Sequence, residues 1–378
     1  MWDEVTGQAD AIATLRAAAA DDGMTHSWLL TGPPGSGRSN LAYAFATALI
    51  ARPGDEHATA AQVAARTHPD LGVLSTERVI ISIDEVRQLV ATSQFSPSVG
   101  RYRVMIIEDA DRMTERTSNV LLKALEEPPP RTIWILCAPS EADLIATIRS
   151  RVRTVRLRVP AVDEVAELIS RRDGVSLPEA TRAAREAQSH IGMAHRLATN
   201  EGARERRRRT LELALGIGSV SGAILAAAEL LQVAGDDAKA ITEERDAEER
   251  EQALRALGVE PGGTVPAGLR SQLKALEEDQ KRRATRSLRD GLDRILVDLM
   301  SLYRDILLLQ LGVGVEPVNL AIYSDLVVAS RLTSPAATLA TLDAISVARQ
   351  RIEGNVAPAL ALEAMLVNAI RRQPAGAR

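Results

Sequence analysis

Eight residues near the start of the chain, Gly32-Pro33-Pro34-Gly35-Ser36-Gly37-Arg38-Ser39, have the spacing of a phosphate-binding loop: glycine, four residues, glycine, a cation, a hydroxyl. The backbone N–H groups of such a loop, with the helix N-terminus behind it, cradle phosphates, and the hydroxyl holds magnesium. One position departs. Arg38 stands where the motif has lysine, and a broad planar guanidinium is a poor substitute for a compact ammonium reaching between the outer phosphates. The loop has the glycines to hold a nucleotide, while the arginine argues against hydrolysis.

A second constellation is Val104-Met105-Ile106-Ile107-Glu108-Asp109-Ala110-Asp111. A continuous apolar run ending in acids is how a buried parallel strand delivers carboxylates to its C-terminal edge, where open α/β sheets bind ligands. In P-loop enzymes the first such acid holds magnesium through water and a second polarises the attacking water. Alone this pattern is common. About seventy residues after a glycine loop it is specific.

A third group is basic: Arg149-Ser150-Arg151-Val152-Arg153, followed by Arg156 and Arg158. By charge alone it reads as a solvated strand edge. The other reading is an arginine aimed at another subunit's phosphates, worth several powers of ten in phosphoryl transfer. Other reactive residue types point away from chemistry. His57 and His68 lack compact metal-ligand spacing. Cys137 lies in an apolar run with no base beside it, so it reads as a small buried side chain. As the single cysteine of the chain it excludes an internal disulfide and a multi-cysteine zinc site.

The elements that must position these groups are legible in outline. His26-Ser27-Trp28-Leu29-Leu30-Thr31 reads as the strand before the loop, and the alanine-rich stretch 40–51 as the helix after it. Leu71-Gly72-Val73-Leu74 is a short strand, and a helix with Val86, Leu89 and Val90 on one face follows from Ile83. Thr114 can cap a helix carrying Val120, Leu121, Leu122 and Leu125, which Pro128-Pro129-Pro130 stops. Thr132-Ile133-Trp134-Ile135-Leu136-Cys137 is another buried strand. Strands alternating with helices from 26 to 158 predict a parallel sheet covered on both faces. From about 160 onward only helical patterns appear, ending in a strongly amphipathic stretch at 291–310 and a helical remainder to about 372. Residues 236–290 carry dense charge of both signs, broken by Gly258 and Pro261-Gly262-Gly263, and read as two exposed charged helices. The basic run Glu205-Arg206-Arg207-Arg208-Arg209 reads as a solvated linker at a boundary, with contact to DNA phosphates as the minority reading.

Composition sets limits. The chain has 378 residues, room for two or three domains, and a formal charge of −4 with 25% charged residues, so any nucleic-acid contact must come from a local patch. Aromatic residues make up 2%, which favours helical packing over a β-sandwich. No run of about 18 apolar residues and no basic-then-apolar start are present, so a cytoplasmic protein without membrane attachment is expected.

Together the motifs resemble the bacterial clamp-loader branch of the AAA+ ATPases. The residues that carry the resemblance are Trp2-Asp3 with Gly7-Gln8, the glycine loop, Thr67-His68-Pro69-Asp70, the strand ending in Glu108-Asp109, and Asn119-Val120-Leu121-Leu122-Lys123-Ala124-Leu125-Glu126-Glu127-Pro128-Pro129. The last is the most specific. Ser150-Arg151-Val152 is similar to the family's Ser-Arg-Cys motif, and residues 192–197 to its sensor-2 region. The match covers residues 1 to about 200; the charged insert is similar to that of actinobacterial members.

The resemblance implies an AAA+ domain over 1–158, a helical lid over 159–208 and a helical collar over 209–378. It implies that Arg151 is an arginine finger acting in trans, which from charge alone was the weaker reading. It places Gly7 and Gln8 on the adenine side and makes Arg196, or His195 one residue earlier, the sensor-2 position. Gly32, Gly35, Gly37, Arg38, Ser39, Glu108 and Asp109 would line the nucleotide. Departures bear on the kind of subunit: Arg38 for lysine, Glu108-Asp109 for an Asp-Glu pair, Cys137-Ala138-Pro139 with Ser140 the nearest hydroxyl for a polar sensor 1, and none of the family's four zinc cysteines. A degraded nucleotide site beside a retained finger implies a stator of the DNA polymerase III loader, without ATPase activity of its own. Its partners would be the tau/gamma and delta subunits, the sliding clamp and primed DNA; ATP with magnesium could still sit at the loop, and zinc could not. Competing readings are a tau/gamma-type ATP-hydrolysing motor, an unrelated P-loop enzyme such as a small-molecule kinase, and a scaffold that binds no nucleotide.

Overall fold

The computed structural model describes residues 2, 5–20, 25–76, 80–256 and 270–370, so Gly258 and Pro261-Gly262-Gly263 of the charged insert lie outside the described residues. The chain forms two compact units, residues 1–199 and 200–378.

The first unit runs α1 (Ala9–Ala20), β1 (Ser27–Thr31), α2 (Arg38–Ile50), α3 (Glu56–Ala64), β2 (Leu71–Leu74), α4 (Ile83–Ser93), β3 (Arg103–Ile107), α5 (Glu115–Glu126), β4 (Thr132–Ala138), α6 (Ala146–Arg149) and β5 (Arg153–Arg156). Three helices follow, α7 (Val162–Asp173), α8 (Leu177–Glu186) and α9 (Ile191–Thr199). The strands make a five-stranded sheet in the order β2-β3-β4-β1-β5, every neighbouring pair parallel. The expected α/β P-loop architecture is therefore present. Successive side chains of a strand face opposite sides. Accordingly Trp28, Leu30, Val104, Ile106, Ile133 and Ile135 pack with Leu15, Leu41, Phe45 and Leu49 of α1 and α2. Leu29, Met105, Ile107, Trp134 and Leu136 pack with Val86, Leu89, Leu121 and Leu125 of α4 and α5. Strands buried on both faces need apolar residues at every position, which is why these runs show no alternation.

Local signals fix the helix starts. Ser82 caps α4, with Glu85 returning a bond to the Ser82 N–H at 2.8 Å. Thr114 caps α5 by accepting from the Thr117 N–H. The Thr67-His68-Pro69-Asp70 stretch acts as a tie. The buried Asp70 carboxylate accepts from the N–H groups of Ser98 (2.6 Å), Val99 (2.7 Å) and Gly100 (2.7 Å), and from Arg103 at 3.0 Å. Burial alone would raise its pKa, but these donors outweigh burial and hold it at about 2.

The second unit is helical: α10 (Glu201–Leu215), α11 (Val220–Ala256), α12 (Arg270–Gln310), α13 (Tyr323–Leu332), α14 (Pro335–Glu353) and α15 (Pro358–Asn368). Its core joins Leu230, Leu292, Leu296, Leu299, Leu302, Ile306, Leu326, Ile345 and Leu362. The amphipathic stretch expected at 291–310 is the C-terminal half of α12. Residues 205–209 are not a linker; they belong to α10, which Asn200 caps. The run looks solvated in sequence because three of the acids that face it come from elsewhere in the fold. Arg206 pairs with Asp237 (2.6 Å), Arg207 with Asp298 (3.0 Å) and Asn319, Arg208 with Glu205 and Glu212, and Arg209 with Glu229. Each of these four guanidiniums already faces a carboxylate, which weakens the minority reading of the run as a DNA contact.

Candidate nucleotide site and arginine finger

The glycine loop leaves the C-terminal end of β1, between the ends of β4 and β5, and runs into α2. Gly35 (φ 78°) and Gly37 (φ 91°) take left-handed backbone that side chains resist, and Gly37 is the N-cap of α2. A side chain at Gly35 would also strike the His190 ring, which lies against the loop immediately before α9. The Gly35 carbonyl accepts from the Ile191 N–H at 3.2 Å. Ser36 is buried, and its hydroxyl meets no hydrogen-bonding partner among the described residues. The 13-residue α2 and that orphaned hydroxyl fit a phosphate at the loop.

The cation does not aim outward: Arg38 donates from Nη1 to the Gly32 carbonyl of its own loop at 2.7 Å. Ser39, half-buried, follows on the first turn of α2. Gln8 is buried and its amide joins two segments. It donates to the carbonyls of Ser36 (3.2 Å) and Arg158 (2.8 Å) and accepts from the Arg158 N–H (3.1 Å). Gly7 (φ 73°) lets the chain turn there beside Pro160 and Glu164. These two residues thus brace the loop against the segment after β5.

Glu108 follows β3 directly, separated from the glycine loop by β4. Its Oε1 accepts from the Tyr43 hydroxyl at 2.5 Å and from Arg66 at 2.7 Å, and the Arg66 guanidinium lies 5.5 Å from the Tyr43 ring centre. Burial, then the hydrogen bond to Glu108, pushes the Tyr43 phenol well above its ordinary pKa, so it stays a donor. Arg66 adopts φ 57°, a left-handed conformation that is unusual for a side-chain-bearing residue. One oxygen of the acid expected to hold magnesium, Oε1, is thus held by this chain's own hydroxyl and guanidinium. Asp109 lies 3.9 Å from Arg112, and burial raises the pKa of Asp111. Cys137, fully buried in β4, has its thiol pushed up to about 12 by burial, which excludes a thiolate. The Ser140 hydroxyl accepts from the Ala142 N–H and so caps a turn.

Tyr43 and Arg66 were absent from the sequence reading. Tyr43 lies four residues after Ser39, one turn along the same helix face, and that spacing could have marked it. Nothing local marks Arg66. On α9, His195 pairs with Asp173 at 2.7 Å, while Arg196 is half-buried.

Arg151 stands apart from the loop residues, between α6 and β5. Its Nε donates to Glu126 at 2.6 Å, and its Nη1 donates to the Thr147 carbonyl (2.7 Å) and to Ser150 Oγ (3.1 Å). Arg153 and Arg156 lie on β5, at the edge of the sheet, as the solvated-edge reading has it.

Comparison with known proteins finds similar chains. The model of the family "DNA polymerase III, delta subunit" matches residues 7–161. DNA polymerase III subunit delta' of Pseudomonas aeruginosa is 34% identical over 154 residues, 39% of this chain and 47% of that protein. DNA polymerase III subunit delta' of Escherichia coli K12 is 30% identical over 205 residues, 52% of this chain and 61% of that protein. DNA polymerase III subunit gamma/tau of Mycobacterium tuberculosis is 28% identical over 187 residues, 47% of this chain and 32% of that protein. The chain therefore spans about half the length of the delta' relatives it matches. A solved gamma-subunit-related protein of Thermotoga maritima is also similar, with TM-score 0.45 and 18% identity, covering 96% of this chain and 100% of that one. Among the described residues no helix is long and apolar enough to cross a membrane.

Proposed function

We propose that this chain is a non-motor stator of the bacterial DNA polymerase III clamp loader, of the delta' kind and actinobacterial type. It lends Arg151 to the ATP site of a neighbouring tau/gamma-type subunit and helps load the sliding clamp onto primed DNA. The observation that carries this reading is the state of Glu108. A magnesium-holding acid turns oxygen to the metal shell, and here one of its two oxygens, Oε1, is already taken by Tyr43 and Arg66. With Arg38 turned back onto Gly32, the two groups most needed for hydrolysis are both engaged within the chain. In this reading residues 1–158 are the AAA+ domain, 159–208 the lid and 209–378 the collar that joins the other loader subunits. Gly7, Gln8, Gly32, Gly35, Gly37, Ser39, Asp109 and Arg196 mark a remnant nucleotide site.

Purified chain mixed with ATP and magnesium is expected to release no phosphate above background. Arg38→Lys alone should leave it inactive, because Glu108 stays engaged. Steady turnover by the wild-type chain would instead make it a motor of the same loader. Equilibrium dialysis with labelled ATP, run beside it, separates a stator that retains nucleotide from one that binds none.

A further inference from the structure

Arg151 is held on its own subunit with most of its bonding capacity used. A guanidinium has five N–H donors. Nε and Nη2 both reach Glu126, and Nη1 serves the Thr147 carbonyl and the Ser150 hydroxyl. The Nε–Nη2 edge, by which arginine grips a phosphate with two parallel bonds, thus faces Glu126 Oε1 instead. The carboxylate also offsets the positive charge that a finger must bring.

Glu126 is oddly placed for a merely structural acid. It is the last residue of α5, where the helix dipole disfavours negative charge. It is also the first glutamate of the Leu125-Glu126-Glu127-Pro128-Pro129 stretch, for which the fold supplies no packing reason: its side chain is 44% exposed. The arginine is 33% exposed, so the pair lies where an incoming anion can compete for it.

We propose that Glu126 is a latch on Arg151. It holds the guanidinium against α5 and α6 and releases it when the neighbour's phosphate oxygens take the carboxylate's place. No bond other than hydrogen bonds changes in this exchange. Turnover at the neighbouring site would then depend on docking tight enough to displace Glu126. The inference rests on the finger reading of Arg151.

The test uses the assembled loader, with its ATPase subunits, comparing ATP turnover without clamp and DNA (basal) and with both (stimulated). In Glu126→Gln the side chain can still accept a hydrogen bond but carries no charge; in Glu126→Asp it is one methylene too short. Both should raise the basal rate about two- to five-fold, the scale of an exposed ion pair. The stimulated rate should change little, so the stimulation ratio falls. In the Arg151→Ala background Glu126→Gln should change nothing, an epistasis that a purely structural role would not give. If Arg151→Ala lowers turnover while both Glu126 variants leave the basal rate unchanged or lower it, the latch is wrong and the finger reading stands. If Arg151→Ala is silent, both fall.

Discussion

Replacing Arg151 by alanine is expected to slow hydrolysis at the neighbouring ATP site that receives it by about a thousand-fold, the lower range for an arginine finger. Single-turnover hydrolysis of labelled ATP by the assembled loader is the measurement. Lysine should not rescue it, since an ammonium cannot make the paired planar contact to phosphate oxygens. The loss would not come from unfolding. Arg151 is partly exposed and its partners are surface groups, so the variant should melt close to wild type. A normal single-turnover rate in Arg151→Ala would remove the finger from this protein.

The largest expected effect on folding lies elsewhere. Asp70→Ala should cost about 3–5 kcal/mol, because it strands three N–H groups and the buried Arg103 without their acceptor. Urea unfolding of the purified chain reads this directly; a loss under about 1 kcal/mol would mean solvent replaces the carboxylate. A pH signature accompanies it. The folded pKa of about 2 is below the ordinary 3.8, so the stabilisation is fully present above about pH 4 and is lost as pH falls towards 2. That shift amounts to roughly 2 kcal/mol. Asp70→Asn should flatten the acid limb of the stability curve by that amount.

What the sequence disclosed and what it withheld divide along physical lines. The sheet was legible because β1, β3 and β4 are short unbroken apolar runs, and a strand buried on both faces admits little else. The glycine loop was legible because left-handed backbone at Gly35 and Gly37 restricts residue choice locally. Asp70 was quoted as part of a motif, but its work as an acceptor for residues 98–103 depends on a loop some thirty positions away. Tyr43 and Arg66 meet Glu108 across 65 and 42 positions, and Glu126 meets Arg151 across 25. Such pairs exist only after the chain has closed, and periodicity carries no trace of them. The basic run in α10 misled for the same reason: Asp237, Asp298 and Glu229, which face it, lie on α11 and α12.

The most direct test of the central claim sets two variants side by side in one assay: steady-state ATP hydrolysis by the reconstituted loader with clamp and primed DNA. The account predicts that Arg151→Ala collapses turnover, while Arg38→Ala, altering a side chain already folded onto Gly32, leaves it nearly intact. The reverse pattern, with Arg38→Ala damaging and Arg151→Ala silent, would make this chain an ATPase in its own right and contradict the account.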